Sequence, residues 1–273
     1  MTITPITAAA PAITPLPKPA WASAISTADK LGLPQSIFLY GVPGTRKTSI
    51  AASIIKVPEF TKVLFIDIDN GTSVLSNDPA FASIDVLKID SLAPNAFDKL
   101  NSVIDDVTQN DYGYDAVILD TLSVAQDVAE KHFKAKFATA GKGGKQDGFA
   151  IWGEIGVWSE DTVRKFQNTP YFTGIVTCHS SEKRSEAGVL EIKPKLSGSS
   201  KDSIGAIPDL VAYLSYAVHP ETGEQHLAAT TGTTEGLISK SRWNIPSVII
   251  DFDLPSVYSL IQGKIATNAA AAA

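Results

Sequence analysis

The stretch Gly41-Val42-Pro43-Gly44-Thr45-Arg46-Lys47-Thr48 follows the apolar run Ser36 to Tyr40 and precedes the helical run Ser49 to Ile55. Strand, glycine-containing loop, Lys-Thr and helix start is the local order that a phosphate-binding loop requires. The reason is electrostatic. Backbone N–H groups of the loop and the positive end of the helix converge on one point, which a lysine ammonium and a hydroxyl can also reach. Gly41, Val42, Pro43, Gly44, Thr45, Arg46, Lys47, Thr48 and Ser49 are therefore the candidate ATP-binding segment. Lys47 would reach the β and γ oxygens, and the Thr48 hydroxyl would be a Mg²⁺ ligand. Arg46 stands where this pattern expects a glycine. A side chain there is tolerated if the backbone keeps a negative φ and the guanidinium points outward; otherwise it crowds the phosphates.

Two further apolar runs end in carboxylates. Asp115-Ala116-Val117-Ile118-Leu119-Asp120-Thr121 has the Walker B form, in which Asp120 holds Mg²⁺ through water at the carboxyl end of a central strand. The structural alternative is a cap on the following helix. Val63-Leu64-Phe65-Ile66-Asp67-Ile68-Asp69-Asn70-Gly71 makes Asp69 the candidate to orient the attacking water, because a base must stand within one water of the γ-phosphate. Here the alternative is that Asp67 and Asp69 only open the turn at Asn70-Gly71.

Around these runs, strand-like and helical segments alternate. Lys62 to Asp67, Asp85 to Ile89 and Tyr171 to Cys178 read as further strands. Phe97, Leu100, Ile104 and Val107 form one helical face, and Trp152, Ile155, Val163 and Phe166 another. The alternation predicts an α/β fold, with a mostly parallel central sheet flanked by helices. Asp209 to Val218 and His226 to Thr231 flank a Pro-Glu-Thr-Gly-Glu turn and predict an antiparallel C-terminal edge. Residues 1–25 read as a disordered Ala/Pro-rich arm, 26–266 as the ATPase domain and 267–273 as a disordered Ala-rich tail.

Composition narrows the partners. The chain has 273 residues, 44% of them hydrophobic, enough for one sizeable core. A net charge of −6 argues against a general polyanion binder, so any nucleic-acid site must be a local patch. One cysteine, Cys178, excludes an internal disulfide, and four scattered histidines give no zinc spacing. The sequence has no apolar run of about 18 residues and no secretion leader, which predicts a cytoplasmic protein without a membrane partner.

Together these motifs resemble the RecA-like P-loop ATPases, most closely the phage-encoded members of recombination and single-strand annealing type, over about residues 36 to 250. In that family a strand of the form Phe-Ile-Asp-x-Glu supplies the catalytic glutamate; Phe65-Ile66-Asp67-Ile68-Asp69 has the same frame with the shorter aspartate. Ile118-Leu119-Asp120-Thr121 is similar to the family's Walker B strand. Thr177-Cys178-His179 places His179 where the family has its γ-phosphate sensor. Leu196-Ser197-Gly198-Ser199-Ser200-Lys201 is similar to the Gly-Ser-Ser segment after the second DNA loop, and Lys240-Ser241-Arg242 to the Lys-x-Arg pair inserted into a neighbour's ATP site. The resemblance implies a homo-oligomer, ring or filament, in which Lys240 and Arg242 complete catalysis across an interface. Trp21-Ala22-Ser23-Ala24 resembles the tether by which some recombinases grip a neighbour.

Residues 131–145 hold five lysines, among them Lys134, Lys136, Lys142 and Lys145, and no acid. With Phe133, Phe137 and Phe149 this reads as a stacking and phosphate-binding surface for single-stranded DNA. The alternative packs Phe133 and Phe137 into the core and leaves the lysines solvated at a helix end. Ser180 to Lys201, with Lys183, Arg184, Lys193 and Lys195, reads as a second DNA loop. The expected function is ATP-controlled binding of single-stranded DNA in phage recombination, in company with a single-strand-binding protein. A nucleotide-stabilised assembly or regulatory protein with little turnover is the competing reading, because of Arg46 and Asp69.

Overall fold

The computed structural model describes residues 32–138, 148–186, 188–198, 200–218 and 221–272. The chain divides into two compact units, Met1–Gly32 and Leu33–Ala273, and apart from Gly32 the described residues belong to the second. The arm expected over residues 1–25, with Trp21, lies outside the described residues.

Strand β1 (Ser36–Gly41) is buried along its whole length, as an apolar run covered on both faces must be. The phosphate-loop candidate leads from it into the short helix α1 (Lys47–Ala52), which tightens into a 3₁₀ turn over Ser53–Lys56. There follow β2 (Val63–Asp67), β3 (Asp85–Lys88), α2 (Ala96–Gln109), β4 (Ala116–Asp120), α3 (Leu122–Lys136), α4 (Gly148–Asn168), β5 (Thr173–Arg184), β6 (Leu190–Pro194) and α5 (Ser200–Ser203). The C-terminal part supplies β7 (Leu210–Val218), β8 (Gln225–Thr230), β9 (Lys240–Ser241), β10 (Val248–Ile250) and α6 (Leu254–Ala272).

Across the sheet the order is β10-β8-β7-β1-β5-β4-β2-β3, with β6 paired to β5 and β9 to β7. From β7 to β3 every neighbour is parallel, whereas β8 and β10 add antiparallel strands at the C-terminal edge. This is the α/β architecture that the alternating pattern predicts, and its order and register position the site. Register sets Gly41 level with His179 and Asp67 level with Asp120, so the carboxyl ends of β1, β5, β4 and β2 open on one side.

Alternation along each strand divides the core in two. Phe38, Tyr40, Ile66, Leu119 and Val176 pack with Leu100, Val128, Ile155 and Phe166 of α2, α3 and α4. Ile37, Leu39, Phe65, Ile118 and Ile175 pack with Ile50 of α1 and Leu254, Val257, Tyr258 and Ile261 of α6.

Three expectations change. Trp152 is 43% exposed, while Ile151, Ile155, Trp158 and Thr162 are buried; that i, i+4, i+7, i+11 stripe sets the inner face and turns position 152 outward. Ser180 to Lys201 is not an open loop, because β5 runs on to Arg184 and pairs antiparallel with β6. The turn is closed by Gly188 N–H donating to the Ser185 carbonyl at 2.9 Å and Ser185 N–H to the Val189 carbonyl at 2.8 Å. The run at 267–273, expected to be disordered, lies within α6 as far as Ala272; alanine is the strongest helix former, and an upstream helix already supplies the nucleus.

Helix α4 meets β5 with no space to spare. A Cβ added at Gly174 would lie 2.4 Å from the Phe166 carbonyl oxygen and 2.8 Å from Phe166 Cβ. Gly174→Ala is expected to cost about 2–3 kcal/mol, read as a fall in melting temperature of roughly 5–10 °C.

Candidate nucleotide-binding site

The loop after β1 is shaped by contacts that only its own residues can make. A Cβ at Gly41 would lie 2.5 Å from the Leu214 carbonyl oxygen and 2.8 Å from Thr45 Oγ1, so nothing larger than glycine fits. Thr45 Oγ1 donates to the Val42 carbonyl at 2.8 Å, and the Tyr216 hydroxyl, from β7, donates to the Gly44 carbonyl at 3.0 Å. Lys47 is buried inside the curl, its Nζ donating to the carbonyls of Gly41 at 3.0 Å and Val42 at 2.9 Å. Burial holds its ammonium below the usual lysine value, against the opposing pull of the Asp120 and Asp69 carboxylates.

Arg46 sits at φ +59° with an exposed side chain. The side chain is exposed at the cleft, and the positive φ departs from the negative φ that the sequence reading asked of a residue there. The loop needs a left-handed residue before α1, the conformation in which a Cβ crowds the carbonyl, at a cost of about 1 kcal/mol.

The carboxylates divide their work. Asp120 is 1% exposed and accepts from Thr48 Oγ1 at 2.8 Å and from Thr177 Oγ1 on β5. Burial raises its proton affinity above the ordinary carboxylate range, with the charges of Asp69 and Asp67 adding to the effect and the two hydroxyls opposing it. The capping alternative falls to its neighbour: Thr121 Oγ1 accepts from Val124 N–H at the start of α3. The turn alternative falls to Asp67, which accepts from Gly71 N–H at 3.2 Å and from Thr72 N–H and Oγ1. Asp69 is left free of the turn and stands 3.5 Å from His179 Nε2. His179 has its pKa lowered by burial and by Lys47, with Asp69 opposing, so the ring is neutral at pH 7. Asn70 takes φ +56° and folds Gly71 over the pair, where a Cβ would lie 3.3 Å from Thr48 Oγ1 and 3.4 Å from Asp120 Oδ2.

Lys47, Thr48, Asp69, Asp120 and His179 all face one cleft of about 990 Å³, which also takes in Arg46. A sequence profile of the AAA domain matches residues 33–243. The chain belongs to the AAA domain family, a family of P-loop ATPases. A search of curated proteins finds no match. Among solved structures, the RadB recombinase is similar at 13% identity, covering 80% of this chain and 87% of its own, with a TM-score of 0.48. The KaiC-like protein PH0186 of Pyrococcus horikoshii OT3 is similar at 12%, covering 79% and 88%, with a TM-score of 0.41. An ATPase of the type III secretion system of pathogenic bacteria is similar at 14%, covering 66% of this chain, with a TM-score of 0.44; this chain spans about half, 51%, of its length.

Within the AAA domain, other expected residues are scattered. Lys240 on β9 pairs with Val211 near the start of β7, whereas Gly41 is level with Leu214. That sets Lys240 roughly 10 Å back along the strand from its own phosphate loop, with Arg242 further still. Lys240 Nζ donates to the Ala206 carbonyl, and Arg242 Nη1 lies 3.0 Å from Asp209 Oδ1. Neither joins the cleft of its own chain.

The expected DNA surface is thinner than the sequence reading. Phe133 is buried and Phe137 packs against the same core, so the packing alternative holds for both; only Phe149, 95% exposed, offers a face. Lys134 pairs with Glu130, and Lys193 pairs with Glu191 and Asp202. Lys136 lies over the Phe133 and Phe137 rings. Lys183, Arg184 and Lys195 are exposed, and Lys142 and Lys145 lie outside the described residues. Sequence reasoning missed Thr177 and Tyr216. Both follow from pairing: Val176 is opposite Leu119, so Thr177 comes opposite Asp120, and Leu214 is opposite Gly41, so Tyr216 runs on beside the loop.

Asp120 gives a prediction whose sign is fixed. Its folded-state proton affinity is raised, so the ionised carboxylate destabilises the fold above that value, and the penalty vanishes below the unfolded value. Without nucleotide or Mg²⁺, Asp120→Asn is expected to melt higher than the native chain at pH 8. The gap should close as pH falls into the ordinary carboxylate range, as measured by thermal melts across pH.

Proposed function

We propose that this chain binds Mg²⁺-ATP in the cleft and hydrolyses it, and that the bound nucleotide controls its grip on single-stranded DNA within a homo-oligomer serving phage recombination in the host cytoplasm. The observation that carries the first part is Thr48 Oγ1 lying 2.8 Å from a buried Asp120 directly beside Lys47. The donors fit a hard divalent cation: hydroxyl and carboxylate oxygens, a burial energy that positive charge would relieve, and a glycine at position 71 that leaves room. Thr48 would hold Mg²⁺ directly and Asp120 through water. When bound, the metal supplies charge neutralisation on the phosphate oxygens.

The chain's own groups do the rest. Lys47 exchanges its two carbonyl partners for phosphate oxygens, which is favourable because a buried ammonium gains more from an anion than from neutral acceptors. Asp69, free of the turn, orients the attacking water, and neutral His179 beside it donates a hydrogen bond to Asp69 or to the γ-phosphate. Lys240 and Arg242 reach a phosphate only across an interface, which is the argument for assembly as a ring or filament. Lys183, Arg184, Lys195, Lys136 and Phe149 with the lysines at 142 and 145 are the DNA contacts, and His179 lies on the same strand β5 that carries Lys183 and Arg184. A single-strand-binding protein is the proposed companion.

Steady-state ATPase assays test this. The native chain is expected to turn over ATP only with Mg²⁺, faster with single-stranded DNA. Lys47→Ala should lose at least about a hundredfold, and Asp69→Asn should lower kcat with little change in nucleotide affinity. DNA affinity should fall against log salt with a slope of roughly −3 to −4. No heat from saturating Mg²⁺-ATP and no nucleotide protection against melting would end the proposal; a flat salt dependence would remove DNA from it.

A further inference from the structure

The cleft is short of free positive charge. Its walls carry five carboxylates, Asp69, Asp78, Asp120, Asp251 and Asp253, against three cations, Arg46, Lys47 and Lys56. Two of the cations are engaged: Lys47 with the loop carbonyls, and Lys56 with Asp78 at 2.6 Å. Lys240 and Arg242 lie at the other end of β7. A nucleoside triphosphate with its Mg²⁺ still carries about two negative charges, which such walls repel unless a cation faces it.

Arg46 is placed to be that cation. It lines the cleft beside Lys47 and Ser49 and is exposed; its backbone carbonyl accepts from Ile50 N–H at 2.9 Å, but its guanidinium makes no hydrogen bond or ion pair among the described residues. The backbone at φ +59° is held in a conformation that glycine adopts without cost, so the side chain stays on the loop at the expense of stability. A guanidinium offers two parallel N–H donors to a pair of phosphate oxygens, a geometry an ammonium lacks.

We propose that Arg46 grips the terminal phosphates of the bound nucleoside triphosphate from within the same chain, so that the site holds one free cation, besides the engaged Lys47, before any neighbour arrives. This rests on the nucleotide-binding reading above and adds to it a residue that sets preference by phosphate number. It makes the departure from glycine at this position a gain in triphosphate selectivity rather than a defect.

The test is calorimetric binding of Mg²⁺-ATP and Mg²⁺-ADP to the native chain, Arg46→Gly and Arg46→Lys, each with a melting curve. Arg46→Gly is expected to melt about 2–4 °C higher, since it removes the left-handed strain, so loss of binding cannot be blamed on misfolding. Its affinity for ATP should nevertheless fall roughly tenfold to a hundredfold, with a smaller loss for ADP, and Arg46→Lys should recover part of the difference. The proposal is overturned if Arg46→Gly binds ATP as tightly as the native chain or more tightly, or if ATP and ADP weaken equally. A native chain that binds neither nucleotide refutes the parent reading as well, and that result differs from both of the others.

Discussion

A carboxylate buried at the end of a central strand needs partners, and Asp120 has two, the hydroxyls of Thr48 and Thr177. One comes from the helix after the phosphate loop and the other from the strand that separates β1 from β4. The loop, β5 and the acidic strand are therefore locked to one another through a single side chain. Burial of an ionised carboxylate with only neutral donors is costly, and the cost is concentrated where a divalent cation can relieve it.

The remaining groups are arranged around that point. Asp67 spends its acceptors on the turn, which folds Gly71 against Thr48 and Asp120 and leaves Asp69 facing His179. Tyr216 holds Gly44 from the other side. The positive φ at Arg46 and Asn70 marks the two bends that bring the loop and this turn together. Each bend places a side chain or a backbone edge at the cleft, so the strain and the chemistry share the same residues.

Much of the fold was legible because its causes are local. The five strand runs and the faces of α2 and α4 are periodic signals, and the loop before Lys47 is a motif whose strand and helix are adjacent in sequence. Less of the site was. Thr177 looked like any threonine in an apolar run, and Phe133 and Phe137 read as a stacking surface, with core packing as the alternative. The side a side chain faces depends on which elements cover it. The Ala-rich end of α6 was misread for a related reason, since composition says nothing of a helix already nucleated upstream.

The sequence alone determined the α/β class, the phosphate-loop segment and the run of carboxylates from which the site is drawn, because each rests on spacing within a few residues. Only the tertiary structure decided that Asp67 serves the turn while Asp69 faces the cleft, that Thr177 shares Asp120, that Arg46 adopts a left-handed backbone, and that Lys240 and Arg242 lie away from their own loop. The physical reason is that strand order and register are long-range choices. A strand's pattern shows which residues share a face, but the partner that a face meets is set by packing of segments far apart along the chain.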